Sequence, residues 1–331
     1  MSLRIAFTAT HLTERGTTTA LLDYAYYNET ILGNKSIILY QFNHPATFPP
    51  YEEKVKQSFE YYTFNSFEEV DTIVKLHLID ALYIIKSGQF DGKVTKACPT
   101  LVHAVFVSEP HGDRYAFISE WLAKKYGNSI PHVPHMISLP LDKVRRDDNL
   151  RKELHIPESA IVFGGYGGRD SFDIPFVHRV VERIVTESTK VYFLFMNFDR
   201  STFEHPQIIY LPPSIDREYK VRFIQSCDAM IHGRSAGESF GLAVGEFSTC
   251  NKPIITFKTD VPYYDKEHIR ILGNKGLYYT NAESLYFLFE HFSRNIVGDE
   301  EWWNAYKDYE PERVMKIFYE VFLKGLALPG E

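Results

Sequence analysis

Short apolar runs and helical periodicities alternate along almost the whole chain, which predicts an α/β protein built on parallel sheets. In the first half, residues 4–8, 36–40, 81–85 and 101–106 read as strands, with 115–118 following, and helical patterns such as 18–32 and 67–76 lie between them. The alternation stops at 132–146, a proline-bearing stretch without sustained periodicity, where we expect the hinge. Beyond it come a strand at 161–163, a glycine-rich turn at 164–169 and a helix at 175–187. Strands at 191–196 and 208–211 and a helix at 217–226 follow. Residues 301–326 read as mostly helical, with Pro311 starting a new helix or kinking the old one. Two doubly wound, Rossmann-like parallel-sheet domains with a cleft between them form the simplest assembly. The expected division is 1–143, 144–300 and a C-terminal helix in 301–331 that crosses back to the first domain.

Composition narrows the function. With 331 residues, 44% of them hydrophobic, the chain can fill two cores. A net charge of −7 argues against nucleic acid as a partner. Cys98, Cys227 and Cys250 are scattered without C-x-x-C spacing, so neither a disulfide framework nor a zinc site is expected, and a reducing, cytoplasmic location is. The start, MSLRIAFTAT, lacks the charged and apolar regions of a signal peptide, and no run approaches the roughly twenty apolar residues of a membrane span. Residues 1–143 hold 13 Lys and Arg against 15 Asp and Glu, a net of −2, which weakens docking to an anionic membrane. Homodimer formation is left open.

The richest segment is 231–256, IHGRSAGESFGLAVGEFSTCNKPIIT. It reads as a turn, a short buried helix and a buried strand. Gly237 and Gly241 stand at the helix entrance, where backbone must approach something closely. Glu238 and Glu246 are eight residues apart, which at 3.6 residues per turn returns nearly to one face. Backbone N–H groups at the mouth favour an anion there. A phosphate at the mouth with hydroxylated groups on either side satisfies all three features.

Glu238-Ser239-Phe240-Gly241-Leu242 through Glu246 resembles the E-x7-E signature of retaining GT-B glycosyltransferases, family 4 in particular. The resemblance implies a GT-B fold and transfer of a hexosyl group from a nucleotide-diphosphate sugar to a glycan or other hydroxyl acceptor. It also implies that Glu246 binds ribose, that Glu238 contacts the transferred sugar, and that the amides of Phe240, Gly241 and Leu242 beside Ser239 cradle the phosphates. GDP-mannose is the donor favoured by its frequency in that family, with a UDP-sugar as the other choice. The order strand, His103, loop, Tyr115–Ile118, then Ser119-Glu120-Trp121-Leu122 is similar to a family pattern whose histidine lies near the donor sugar; a buried structural histidine is the competing reading. Gly16-Thr17 opens a helix after the first strand, where relatives carry a cleft-lining loop and where a plain capped turn is the alternative.

Arg169 occupies the position of a phosphate-clamping arginine in the family pattern. The lysine expected about six residues later is missing from Asp170-Ser171-Phe172-Asp173-Ile174-Pro175, so Arg234 is the candidate substitute. Tyr210 and Leu211 match the stretch that passes the nucleotide base. No Asp-x-Asp occurs, so no divalent metal and no cofactor beyond the donor substrate are expected. A nucleotide-sugar epimerase and a non-catalytic nucleotide-sugar-binding protein are the alternatives, the missing lysine favouring the second.

Overall fold

The structure, a computed structural model, describes residues 2–145, 147–294 and 302–326. The chain divides into two compact units, Met1–Met136 with Tyr309–Glu331, and Ile137–Asp308. Arg146, the last residue of the expected hinge, and Glu301, the expected start of the tail, lie outside the described residues.

The first unit runs β1 (Arg4–Ala9), α1 (Gly16–Thr30), β2 (Lys35–Gln41), α2 (Pro49–Ser58), β3 (Glu60–Phe64), α3 (Val70–Leu76), β4 (Ala81–Lys86), β5 (Thr100–Ala104), β6 (Arg114–Phe117) and α4 (Glu120–Lys125). Its strands form one parallel sheet in the order β3-β2-β1-β4-β5-β6. Both faces of the sheet are covered, which is why Ile5–Phe7, Ile37–Leu39 and Leu82–Tyr83 are apolar without alternation and wholly buried. The α2–β3 pair escapes the sequence pattern because α2 buries only Tyr51 and Val55 and β3 is an edge strand carrying Glu60.

The second unit runs β7 (Ile161–Tyr166), α5 (Pro175–Glu187), β8 (Val191–Met196), β9 (Ile208–Leu211), α6 (Arg217–Ser226), β10 (Ala229–His232), β11 (Gly237–Glu238), α7 (Leu242–Thr249), β12 (Ile254–Phe257), β13 (Asp265–Lys266), α8 (Glu267–Leu272), β14 (Gly276–Tyr279) and α9 (Ala282–His291). Its parallel sheet has the order β14-β12-β10-β7-β8-β9, while β11 and β13 pair separately. Helix α5 buries Val177, Val180, Val181, Ile184 and Val185, one stripe at helical spacing, against this sheet.

Two expectations change in detail. Gly164 and Gly165 lie inside β7 rather than in a turn, because the strand continues to Tyr166. Glycine is needed there for close packing: a Cβ on Gly165 would sit 2.7 Å from the Ile231 carbonyl oxygen, and one on Gly164 would meet Cys227 Sγ. In the tail, residues 302–310 are turns and irregular chain, and helix α10 (Pro311–Phe318) starts with its proline in the first turn, where the missing N–H costs nothing. Phe318 packs on Tyr24 and Tyr83 of the first unit, with ring centroids 5.2 and 5.3 Å away. Among the described residues no helix is long and apolar enough to cross a membrane.

The close approach of β7 to β10 makes Gly165→Ala a sharp test of the second sheet. It should cost about 1–3 kcal/mol, as overpacking does in a rigid interior, read as a lower denaturant midpoint. An unchanged midpoint would show that the strands can separate at no cost.

Candidate functional site

Strand order in the second sheet reverses between β7 and β10, since β8 and β9 continue to one side and β12 and β14 to the other. Ligands of doubly wound sheets bind outside the carboxyl ends of strands at such a reversal. The loop after β7 carries Arg169, and the segment after β10 carries Arg234, Glu238 and α7.

Helix α7 begins at Leu242, with Gly241 as its N-cap in the left-handed region at φ +87°. Gly237 has φ +67° and lies so close to Asp265 that a Cβ would overlap the Asp265 carbonyl. The two glycines therefore turn the chain sharply on either side of β11. Glu238 lies in that short extended segment, so the helical face-sharing argument fails. The carboxylates come from different elements, and Glu246 stands just over one turn inside α7 rather than two. The packing behind the mouth is tight. Phe240 is buried edge-on against Tyr306, whose hydroxyl donates to the Phe240 carbonyl at 2.9 Å. Ser239 is buried beside it and Leu242 half-buried.

Glu238 is held on both sides. Arg234 Nη1 donates to Oε2 at 2.9 Å and His232 Nε2 to Oε1 at 3.2 Å. With its proton on Nε2, His232 uses Nδ1 to accept from the Thr256 hydroxyl at 2.8 Å. Burial alone would raise the Glu238 carboxyl, but the Arg234 charge and the His232 hydrogen bond prevail and hold it down to about 2. The same carboxylate raises Arg234, which also feels Asp173 and Asp170. His268, 5.0 Å from His232 between ring centroids, is pushed down to about 3 by burial and then by His232. It therefore adds an uncharged ring to the cluster near neutral pH.

Glu246 is 7% exposed and accepts a hydrogen bond from the Tyr166 hydroxyl at the end of β7. Burial and this carboxylate drive the Tyr166 phenol well above its ordinary value, so it stays a donor. Lys220 of α6 places its ammonium 5.5 Å from the Tyr166 ring centre. Tyr166, Lys220 and His232 were not among the residues expected from sequence. Only the glycine-rich setting of Tyr166 and the motif's own start near His232 hinted at them.

The other expected residues have different partners. Arg169 is exposed and paired with Asp199 at 3.0 Å, a surface ion pair rather than part of the Glu238 cluster. Tyr210 and Leu211 close the edge strand β9, where Tyr210 packs on Phe195 and its hydroxyl accepts from the Ser201 backbone at 3.2 Å. Gly16 and Thr17 are exposed at the start of α1, and Thr18 Oγ1 accepts from Thr13 N–H at 2.8 Å, bracing that loop. His103 departs most from expectation. It is wholly buried within β5, its Nε2 donating to the Val133 carbonyl at 2.8 Å and its Nδ1 accepting from Tyr83 at 2.6 Å. Burial lowers it to about 3. A neutral ring with both nitrogens committed holds the core together and has no atom left for a sugar. Among the described residues no group of three or more His, Cys, Asp and Glu is placed to hold a metal ion.

The architecture, two α/β units each with a six-stranded parallel sheet, is the GT-B fold. No family model and no curated protein matches the sequence. Solved structures do match: a glycosyltransferase from Rickettsia africae ESF-5 has a TM-score of 0.68 at 13% identity over 98% of this chain and 99% of its own. Anabaena Alr3699/HepE in complex with UDP and glucose gives 0.68 at 13% over 96% and 98%. S. aureus MnaA, in a co-structure with UDP, gives 0.56 at 12% over 97% and 96%.

Because Arg234 is what keeps Glu238 ionised, Arg234→Met should let the carboxyl rise from about 2 to its ordinary range or above, read by carboxyl carbon NMR. In the parent protein the lowered value stabilises the fold fully above the ordinary pKa of 4.5, and that contribution is lost as pH falls toward about 2. An unmoved resonance in the variant would show that Arg234 is not the cause.

Proposed function

We propose that the protein is a glycosyltransferase whose second unit holds a nucleotide-diphosphate sugar at the reversal between β7 and β10. The observation that carries this reading is the pair of glutamates flanking the open end of α7, Glu238 fixed by Arg234 and His232, Glu246 fixed by Tyr166. Each carboxylate keeps unused lone pairs, and a carboxylate held in place orders sugar hydroxyls at little further entropic cost. In this reading Glu246 takes ribose hydroxyls, Glu238 takes hydroxyls of the transferred sugar, and the pyrophosphate meets the amides of Gly241 and Leu242 at the positive end of α7.

Arg234 is largely neutralised by Glu238, so the missing lysine needs another substitute. Lys220, beside the Tyr166–Glu246 pair, takes that part, with Arg169 contributing if the loop after β7 folds over the phosphates. The bond from the anomeric carbon to the β-phosphate oxygen breaks, leaving an oxocarbenium-like sugar. The acceptor hydroxyl attacks the same face, forms the new C–O bond and passes its proton to a leaving phosphate oxygen, so configuration is retained. Stabilising the departing diphosphate is the main catalytic contribution, because charge develops there. The device proposed for it consists of cationic side chains and the helix mouth, without a divalent metal.

Among donors, the likeness to structures solved with UDP weighs toward a UDP-sugar. GDP-mannose rests on its frequency in the resembled family. An epimerase would use the same pocket and change the donor with no acceptor present, and product analysis without acceptor separates the two.

A calorimetric panel of UDP-glucose, UDP-N-acetylglucosamine and GDP-mannose tests the pocket and ranks the donors together. At least one should bind, and Glu246→Ala should weaken it at least about tenfold, as losing hydrogen bonds to a charged group does. Equal affinity in the variant would remove Glu246 from the nucleotide site. Transfer should proceed at full rate in excess EDTA; collapse there would overturn the metal-free account of the leaving group.

A further inference from the structure

The first sheet reverses its order between β1 and β4, and the loops leaving these carboxyl ends carry a cationic and imidazole group with no role so far. Lys93, on the loop after β4, donates to Thr10 Oγ1 on the loop after β1 at 3.0 Å and makes no ion pair among the described residues. His11, next to Thr10, stacks on His44 from the loop after β2, with centroids 4.5 Å apart and planes 11° from parallel. The Ala46 backbone N–H donates to His44 Nδ1 at 3.1 Å, so the neutral ring carries its proton on Nε2 and offers a donor there. His11 Nδ1 is buried without a partner.

The surroundings disfavour a second positive charge beside Lys93. Burial, His44 and Lys93 together hold His11 below its ordinary value. Helix α1 starts at Gly16 with no acid in its first turn and no side-chain cap, so its positive end adds to the same field. Of the acids on these loops, Asp91 pairs with Lys86, accepts from the Lys93 backbone N–H at 3.1 Å and feels the Lys93 charge without an ion pair to its ammonium, and Glu14, three residues beyond His11, forms no pair with Lys93. Phe42, 54% exposed, stands on the loop that carries His44. An uncharged occupant would leave the Lys93 ammonium without an ion pair, whereas an oxyanion would pair with it and accept from the His44 donor together.

We propose that this crevice binds the anionic group of the acceptor, a carboxylate or phosphate carried on a hexose. Lys93 supplies the charge, His44 Nε2–H and His11 the hydrogen bonds, and Phe42 an apolar face for the sugar ring. The inference rests on the donor assignment of the second unit, because it names the acceptor class for that reaction.

The test titrates glucuronate, glucose 6-phosphate and glucose into the full chain, with UDP titrated into the same preparations. At least one anionic sugar should bind at least about tenfold tighter than glucose and shift the ring resonances of His11 and His44. Preference for glucuronate assigns a carboxylate, and preference for glucose 6-phosphate a phosphate. Lys93→Gln should lose at least about tenfold of that affinity while Lys93→Arg keeps most of it, as expected when one charged hydrogen bond is removed or retained. Anionic sugars that bind no tighter than glucose, or histidine resonances that stay still, overturn the proposal even if Lys93→Gln proves too unstable to study. Wild-type protein that binds the anionic sugar but no UDP would instead overturn the donor reading, leaving the anion site in place.

Discussion

A carboxylate with its side chain about one-fifth exposed, in the short β11 segment beyond an inner strand, is tolerable only if its charge is answered on the spot, and the arrangement around Glu238 follows from that constraint. Arg234 supplies the charge four residues upstream, and His232 supplies a directed N–H from β10 itself. Thr256 of β12 holds the other ring nitrogen of His232, so neighbouring strands contribute to the orientation of one side chain. Gly237 and Gly241 then permit the two turns that bring the carboxylate and the mouth of α7 into one short stretch of chain. Removing Arg234 or His232 leaves the half-buried Glu238 carboxylate short of a partner, which is why the segment is dense in polar residues.

The same topological logic operates in each sheet taken separately. In the second unit the order reverses between β7 and β10; β7 ends on Tyr166, and the segment leaving β10 carries Arg234, Glu238 and α7. In the first it reverses between β1 and β4, and the loops there carry His11, Lys93 and the start of α1. Parallel strands deliver their carboxyl ends to one edge, and at a reversal the connecting helices diverge to opposite faces, leaving room for a ligand. The chemistry in each place differs: paired acids suited to hydroxyls in one, unpaired bases suited to an oxyanion in the other.

The inner strands of both sheets were legible because parallel strands covered on both faces are continuous apolar runs, as Ile37–Leu39 and Ile254–Ile255 show, whereas the edge strand β14 was not. The pair α2 and β3 was not, since an edge element with two buried side chains carries little periodic signal. At the site, the glutamates and the flanking glycines were visible as a motif, but their geometry was misjudged. Eight residues imply a shared face only on a continuous helix, and left-handed Gly241 interrupts it. Tyr166 and Lys220 were invisible because their relevance is tertiary: they meet Glu246 from β7 and α6. His103 shows the opposite failure. A histidine in a strand near a familiar pattern invited a functional role, yet its two ring nitrogens are spent on Val133 and Tyr83.

The central claim is that a nucleotide diphosphate sits at the open end of α7, between the carboxylates of Glu238 and Glu246. A crystal structure of the protein with UDP tests it most directly. The account predicts ribose hydroxyls within hydrogen-bond distance of Glu246 and phosphate oxygens on the amides of Gly241 and Leu242. Nucleotide bound elsewhere, with both glutamates still holding only Arg234, His232 and Tyr166, would contradict it.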